Sequence, residues 1–137
     1  MSCKELHPRL YQLSDGRFQI MEEGDLAPLM FGKEYILVES RLAEYIEVLD
    51  LPRLEVVEAV IYDPRRRREI RNYKELRIGE RFSSDMIRDI NLEGERFFLM
   101  DGSSVFVSPA LKERLEASPF AYLRFTEGLS EFVGEET

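Results

Sequence analysis

The sequence holds one cysteine, Cys3, and one histidine, His7, among 137 residues. A single cysteine cannot close an intramolecular disulfide, so nothing points to an oxidising compartment. Zinc sites built from several Cys and His ligands are excluded by count. Ser-His or Cys-His catalysis would have to use His7, which sits beside Pro8 and reads as an ordinary surface or turn residue. Glycine is sparse, at eight. Neither a GxxxxGKS/T loop nor a GxGxxG turn is present, which counts against the common nucleotide-binding folds. HExxH, GxSxG and DxDxDG patterns are also missing. The longest apolar runs are a few residues, against the roughly 20 of a membrane helix. The opening residues show no basic segment leading into an apolar run, so no targeting segment is read and a cytoplasmic location is expected.

The material for a core is there. The chain is 44% hydrophobic and 11% aromatic, with 34% charged residues and a formal net charge of −8. That length suits a single domain over residues 1–137, and such a domain buries roughly two-thirds of the surface its unfolded chain exposes. An acidic chain is a poor general nucleic-acid binder and a natural attractor of a basic partner. The charge is unevenly spread. Ile20 to Tyr62 carries ten acids and three bases, Pro64 to Arg96 seven acids and ten bases, and Glu127 to Thr137 four acids and no base.

Local patterns suggest the elements. Leu10 to Ile20 reads as extended, broken by a turn at Ser14-Asp15-Gly16. Glu22 to Pro28 reads as a loop. Tyr35 to Val38 is a short β-prone run, and Ser40 is placed to cap a helix over Arg41 to Leu49. Its apolar residues Leu42, Tyr45, Ile46 and Leu49 recur at helical spacing, and Asp50 and Pro52 end it. Leu54 to Tyr62 is a strand, nearly all apolar, which suggests burial on both faces or a bulge. Asp63-Pro64 turns the chain, Arg65 to Arg68 follow, and Ile70 to Ile78 is the return strand. Phe82 to Leu92 fits either a short helix or an extended segment.

Arg96 to Met100 and Val105 to Val107 form a hairpin about Asp101-Gly102. Ser108 then caps a second helix with Pro109 at its first position, and Leu111 and Leu115 lie on one face. Tyr122 to Thr126 is a last strand, and residues 128–137 are expected to be a loosely held acidic tail. Tyr45, Phe98, Phe106 and Phe125 are placed on inward faces. The class is α+β, a single domain with a mainly antiparallel or mixed sheet and two short amphipathic helices.

No constellation carries catalysis. Carboxylate pairs such as Glu22-Glu23, Glu93 with Glu95, and Glu135-Glu136 arise freely among 27 acids, whereas glycosidic chemistry needs two of them facing each other in a cleft. Arg65, Arg66, Arg67 and Arg68 read as a solvated hairpin tip, a partner-contact loop or an anion or nucleic-acid patch.

Five motifs follow one order. They are Ile36-Leu37-Val38-Glu39-Ser40-Arg41-Leu42, Val56-Val57-Glu58-Ala59-Val60, Tyr73-Lys74-Glu75-Leu76, Phe97-Phe98, and Val105-Phe106-Val107-Ser108-Pro109-Ala110-Leu111, with Leu123-Arg124-Phe125 closing the series. That order resembles the eleventh immunity-protein family of bacterial polymorphic toxin systems, once classed as a domain of unknown function and abundant in myxobacteria. The resemblance implies a small cytoplasmic protein that binds and neutralises a toxin domain. It implies no catalytic residue, cofactor or metal.

The expected function is therefore a non-enzymatic binding protein for a basic toxin domain, with neither nucleic acid nor membrane as partner. The alternative is a structural or regulatory interaction module, including a homo-oligomer joined through a strand edge. Glu22, Glu23, Asp25, Glu44, Glu47, Glu55 and Glu58 are the candidate partner-binding acids. Arg65 to Arg68 are the candidate second contact loop.

Overall fold

The arginine run sits at the tip of a long hairpin around which the rest of the chain is arranged. The computed structural model describes residues 9–22, 24–32, 35–83, 92–100, 104–125 and 130–133. In chain order the elements begin with β1 (Leu10–Gln12), β2 (Phe18–Ile20), β3 (Leu29–Gly32), β4 (Tyr35–Glu39) and α1 (Ser40–Val48). The hairpin strands β5 (Leu54–Asp63) and β6 (Arg68–Ile78) follow, then β7 (Arg81–Phe82), β8 (Phe97–Met100) and β9 (Ser104–Val107). The chain then forms α2 (Pro109–Glu116), β10 (Arg124–Phe125) and β11 (Ser130–Val133).

Two mixed sheets result. The larger has the order β1-β2-β5-β6-β4-β3 and the smaller β10-β11-β9-β8-β7. Within each, a single parallel pairing, β2 with β5 or β7 with β8, interrupts an otherwise antiparallel ladder. With α1 and α2 this is a single-domain α+β fold.

The large sheet is buried on both faces, which explains the unbroken apolar runs Leu29-Met30-Phe31 and Tyr35-Ile36-Leu37-Val38. Leu29, Phe31, Ile36 and Val38 point to one side, where Leu42, Ala43 and Ile46 of α1, Leu111 and Leu115 of α2, and Phe97, Leu99, Val105 and Val107 of the small sheet complete a core. Met30, Tyr35 and Leu37 point to the other, against Leu10, Phe18, Ala59, Ile61 and Tyr73. Leu10 and Met30 come from strands at opposite edges of the sheet, so the sheet curls over this second core. The Phe18 and Tyr35 rings meet across it at 5.4 Å between centroids. Gly32 pairs with Tyr35, and a Cβ at position 32 would overlap the Tyr35 ring. Full burial of a Leu or Ile side chain contributes roughly 1.5–3 kcal/mol, so Leu42 and Ile46 hold the short α1 in place.

The hairpin contains a bulge, but its extra residue lies on β6 rather than in the apolar run of β5. Ala59 faces Tyr73 and Ile61 faces Ile70, so Arg71 and Asn72 together oppose Val60. The extra residue reverses the alternation of β6. Tyr73 and Ile70, an odd number apart, thereby both serve the second core.

Several local expectations change. Ser40 is not the cap of α1: Glu39 occupies that position with no side-chain cap, and Ser40 is the first helical residue. Ser108 does cap α2, accepting from the Leu111 N–H, with Pro109 at the helix start. The segment after the Glu22–Pro28 loop forms β3, paired with β4. Phe98 and Phe106 lie on the side of the small sheet away from the main core, where both meet Phe82. Phe98 is buried and Phe106 half-buried there. Phe82 belongs to β7, while residues 84–91 of the ambiguous segment lie outside the described residues, as do Asp101 and Gly102. From the stretch after Gly128, Ser130–Val133 forms β11 between β9 and β10.

Candidate functional site

Helix α1 turns Leu42, Ala43 and Ile46 inward, and the 3.6-residue period then leaves Glu44, Glu47 and Val48 outward. Val48 is 83% exposed, the most exposed large apolar side chain among the described residues. Beside the helix, Lys74 of β6 lies in register with Val38 on one side and Glu58 on the other. Its ammonium reaches the Glu47 carboxylate at 3.6 Å and the Glu58 carboxylate at 3.8 Å. The lysine side chain is 17% exposed, whereas those of Glu47 and Glu58 are 53% and 81% exposed. One largely covered cation thus stands between two solvent-facing acids, and Glu44 adds a third on the same helix face. Ion pairs this exposed contribute little to stability. They leave an acidic helix face, with Val48 exposed on the same helix beyond Glu44.

The other candidate acids lie elsewhere. Glu55 points to the opposite face of β5, where it pairs with Arg77 at 3.4 Å. Glu22 accepts a hydrogen bond from the Arg9 N–H at 3.0 Å beside β1 and β2. Asp25 lines a groove at the far end of the hairpin. Glu23 lies outside the described residues. Of seven candidate acids the fold gathers three, Glu44, Glu47 and Glu58.

That groove has a volume of about 870 Å³ and is lined by Gly24, Asp25 and Leu26, by Ile20, and on the hairpin by Asp63, Arg66 and the strand from Arg68 to Tyr73. Asp63 organises the turn: its Oδ1 accepts from the N–H groups of Arg65 and Arg66, and its Oδ2 pairs with the Arg66 guanidinium at 3.0 Å. Burial alone would push the Asp63 carboxyl up. The Arg66 side chain and the two backbone donors outweigh that, so it lies below the usual aspartate range. The Arg71 guanidinium, with a smaller effect from Arg17, holds Glu69 below its usual range against a desolvation that pushes up. Both carboxylates are therefore fixed as anions with their own arginines. Arg67 and Arg68 have no acidic partner among the described residues.

Two tyrosines near Glu39 are also perturbed. Tyr73 donates to the Ala27 carbonyl at 2.9 Å, and burial, with the Glu39 charge, pushes its pKa up to about 12. Tyr122 packs edge-on against Phe120, and its buried hydroxyl lies beside the Glu39 carboxylate. Burial and the Glu39 carboxylate push its pKa up as well. Among the described residues Glu75 is the one carboxylate held above its usual range, by burial first and the Glu55 charge last, against the lowering effect of Arg77. It does not line the groove. Among the described residues no cluster of three or more His, Cys, Asp or Glu could hold a metal ion. No described helix is long and apolar enough to cross a membrane.

Val48 carried a signal in the sequence, an apolar residue on the polar side of the helical wheel. The groove carried none, because its walls come from segments some forty residues apart. No protein-family model, curated protein or solved structure matches the chain.

Proposed function

We propose that this chain is a binding protein that neutralises a basic toxin domain by protein–protein contact, with the acidic face of α1 as its docking surface. The observation that carries the reading is the pairing of Glu47 and Glu58 with one shielded lysine, beside Glu44 and the 83% exposed Val48 on the outward side of the same helix. An exposed apolar side chain next to like charges is what a protein interface uses: the apolar contact loses water while the charges steer and orient the partner. The net charge of −8 adds long-range attraction for a cationic domain. The order of motifs that resembles the immunity-protein family supports the same reading. Inhibition by coverage needs no catalytic group on this chain.

The test is capture followed by function. The tagged chain is used to purify partners from lysate of its source, and each captured protein is expressed alone and together with the chain. A partner that is toxic alone, harmless together, and released by the E44K/E47K/E58K variant supports the reading. A toxic partner held equally well by that variant, at any salt concentration, removes that face from it. Absence of any partner whose toxicity the chain relieves refutes neutralisation.

A further inference from the structure

Strand β5 is ten residues long, and β6 runs beside it from Leu54 to Asp63. On its other edge β2 reaches only Ile61 and Tyr62, because β2 begins at Phe18, just after the turn over Ser14 to Gly16. From Leu54 to Glu58 no described strand pairs with that edge. The register says which backbone groups stand there. The Gly79 N–H donates to the Arg53 carbonyl at 2.7 Å, and Leu54 lies opposite Ile78. Hydrogen-bonded and non-hydrogen-bonded pairs alternate along an antiparallel ladder. Arg53, Glu55 and Val57 therefore turn their N–H and C=O groups to β6, and Leu54, Val56 and Glu58 turn theirs to the open side. Proline, a bulge or a very short strand closes most edges to pairing. This stretch has none of them: it is regular, free of proline, and ends before the bulge at Val60.

Its side chains sort by parity. Leu54 and Val56 are half-buried against the main core, and Glu58 stands on their side of the sheet, 81% exposed, beside Lys74. Glu55 stands on the other side, 65% exposed, beside Arg77. Lys74 and Arg77 both belong to β6, so each acid has its cation on the paired side and none on the open side among the described residues.

We infer that this edge takes an extended basic segment of a partner protein as an added strand beside Leu54–Glu58, with the cations of that segment three residues apart. Backbone pairing supplies affinity without sequence preference. The two acids supply the preference. Glu55 and Glu58 lie on opposite faces, so an incoming strand matches both only if its cations also change face, as in Lys-x-x-Lys. Cations at alternate positions all fall on one face and meet one acid. A second copy of this chain would bring two more acids to the edge, which disfavours self-pairing. The inference rests on the proposed function only for the sign of the partner's charge, and it names the edge of β5 rather than the face of α1.

The test uses a fluorescein-labelled peptide of about nine residues, within the usual span of a strand, with lysine at every third position and valine between. The expected result is salt-sensitive binding by fluorescence anisotropy, with slowed amide exchange at Leu54, Val56 and Glu58 but not at Glu55 and Val57, whose amides already face β6. Glu55→Lys, an exposed substitution away from α1, weakens binding on the order of tenfold. The same peptide N-methylated throughout does not bind, a readout that needs no variant. The inference is overturned if the methylated peptide binds equally, if an isomer with its lysines at alternate positions binds as well, or if protection appears on α1 and not on β5. It is also overturned if these amides become protected as protein concentration rises without peptide, which marks a second copy on the edge. Peptide binding without any neutralised toxin leaves the inference standing and refutes only the neutralisation; a neutralised toxin with no peptide bound does the reverse.

Discussion

Ser108 and Ser40 invite a paired experiment, because both follow a short strand and open a helix, yet only one is engaged. The Ser108 side chain is fully buried. Its Oγ accepts from the Arg96 N–H at 2.9 Å and from the Leu111 N–H at 3.4 Å, and donates to the Gly94 carbonyl at 2.7 Å. One hydroxyl therefore joins the loop before β8, the end of β9 and the start of α2. Ser108→Ala removes a helix cap, which costs about 1 kcal/mol. It also leaves the Arg96 N–H and the Gly94 carbonyl without that partner, and each orphaned buried group costs about 1–3 kcal/mol. The 3.4 Å bond is long, and the loop can admit water at Gly94, so a total of about 2–4 kcal/mol is expected. For a domain of this length that lowers Tm by on the order of 10 °C. Ser40→Ala, at a helix start where no side chain caps, is expected to change stability by less than about 0.5 kcal/mol. Urea unfolding followed by circular dichroism measures both. A Ser108→Ala cost below about 0.5 kcal/mol, or equal costs for the two serines, would refute the hydroxyl hub.

Three further outcomes follow from the same structure. Burial raises the Glu75 carboxyl above the ordinary glutamate value of 4.5, so the folded state holds this proton to higher pH than the unfolded state does. The contribution of Glu75 to stability therefore declines as pH rises from 4.5 through the folded pKa; Glu75→Gln gives a protein more stable than wild type above that window and equal to it below, read from urea midpoints across pH. Arg67 holds a left-handed backbone with φ of 51° at the hairpin tip, so Arg67→Gly raises stability by about 1 kcal/mol, seen as a higher Tm. Tyr122→Phe keeps the ring against Phe120 and removes a buried hydroxyl whose neighbouring acceptor is the Glu39 carboxylate. Calorimetry should find a change of no more than about 1 kcal/mol, and a loss well above that would show a strong bond to Glu39.

Much of the local structure was legible in order. The amphipathic period of Leu42, Tyr45, Ile46 and Leu49 marks α1, the Ser108-Pro109 pair marks the start of α2, and Asp63-Pro64 between two apolar runs marks the long hairpin. These signals work because each element's burial pattern repeats within its own few residues. They place Glu44 and Glu47 on one outward helix face without any knowledge of the rest.

Everything that depends on pairing between distant segments was settled by the tertiary structure. Strand parity puts Glu55 and Glu58 on opposite faces of β5, so acids three residues apart in sequence serve different surfaces. The partner of Ser108 is a loop twelve residues earlier, whereas Ser40 meets no comparable loop, and nothing local distinguishes the two. The parallel joins of β2 to β5 and β7 to β8, the edge place of β3 and the open edge at Leu54–Glu58 all follow from which apolar faces must cover each other. The sequence by itself determined the elements and the division of charge between an acidic front and an arginine-rich hairpin. Only the closing of two cores over both faces of one curled sheet decided which acids share a surface and which strand is left unpaired, because register and neighbour choice are properties of burial between segments rather than within one.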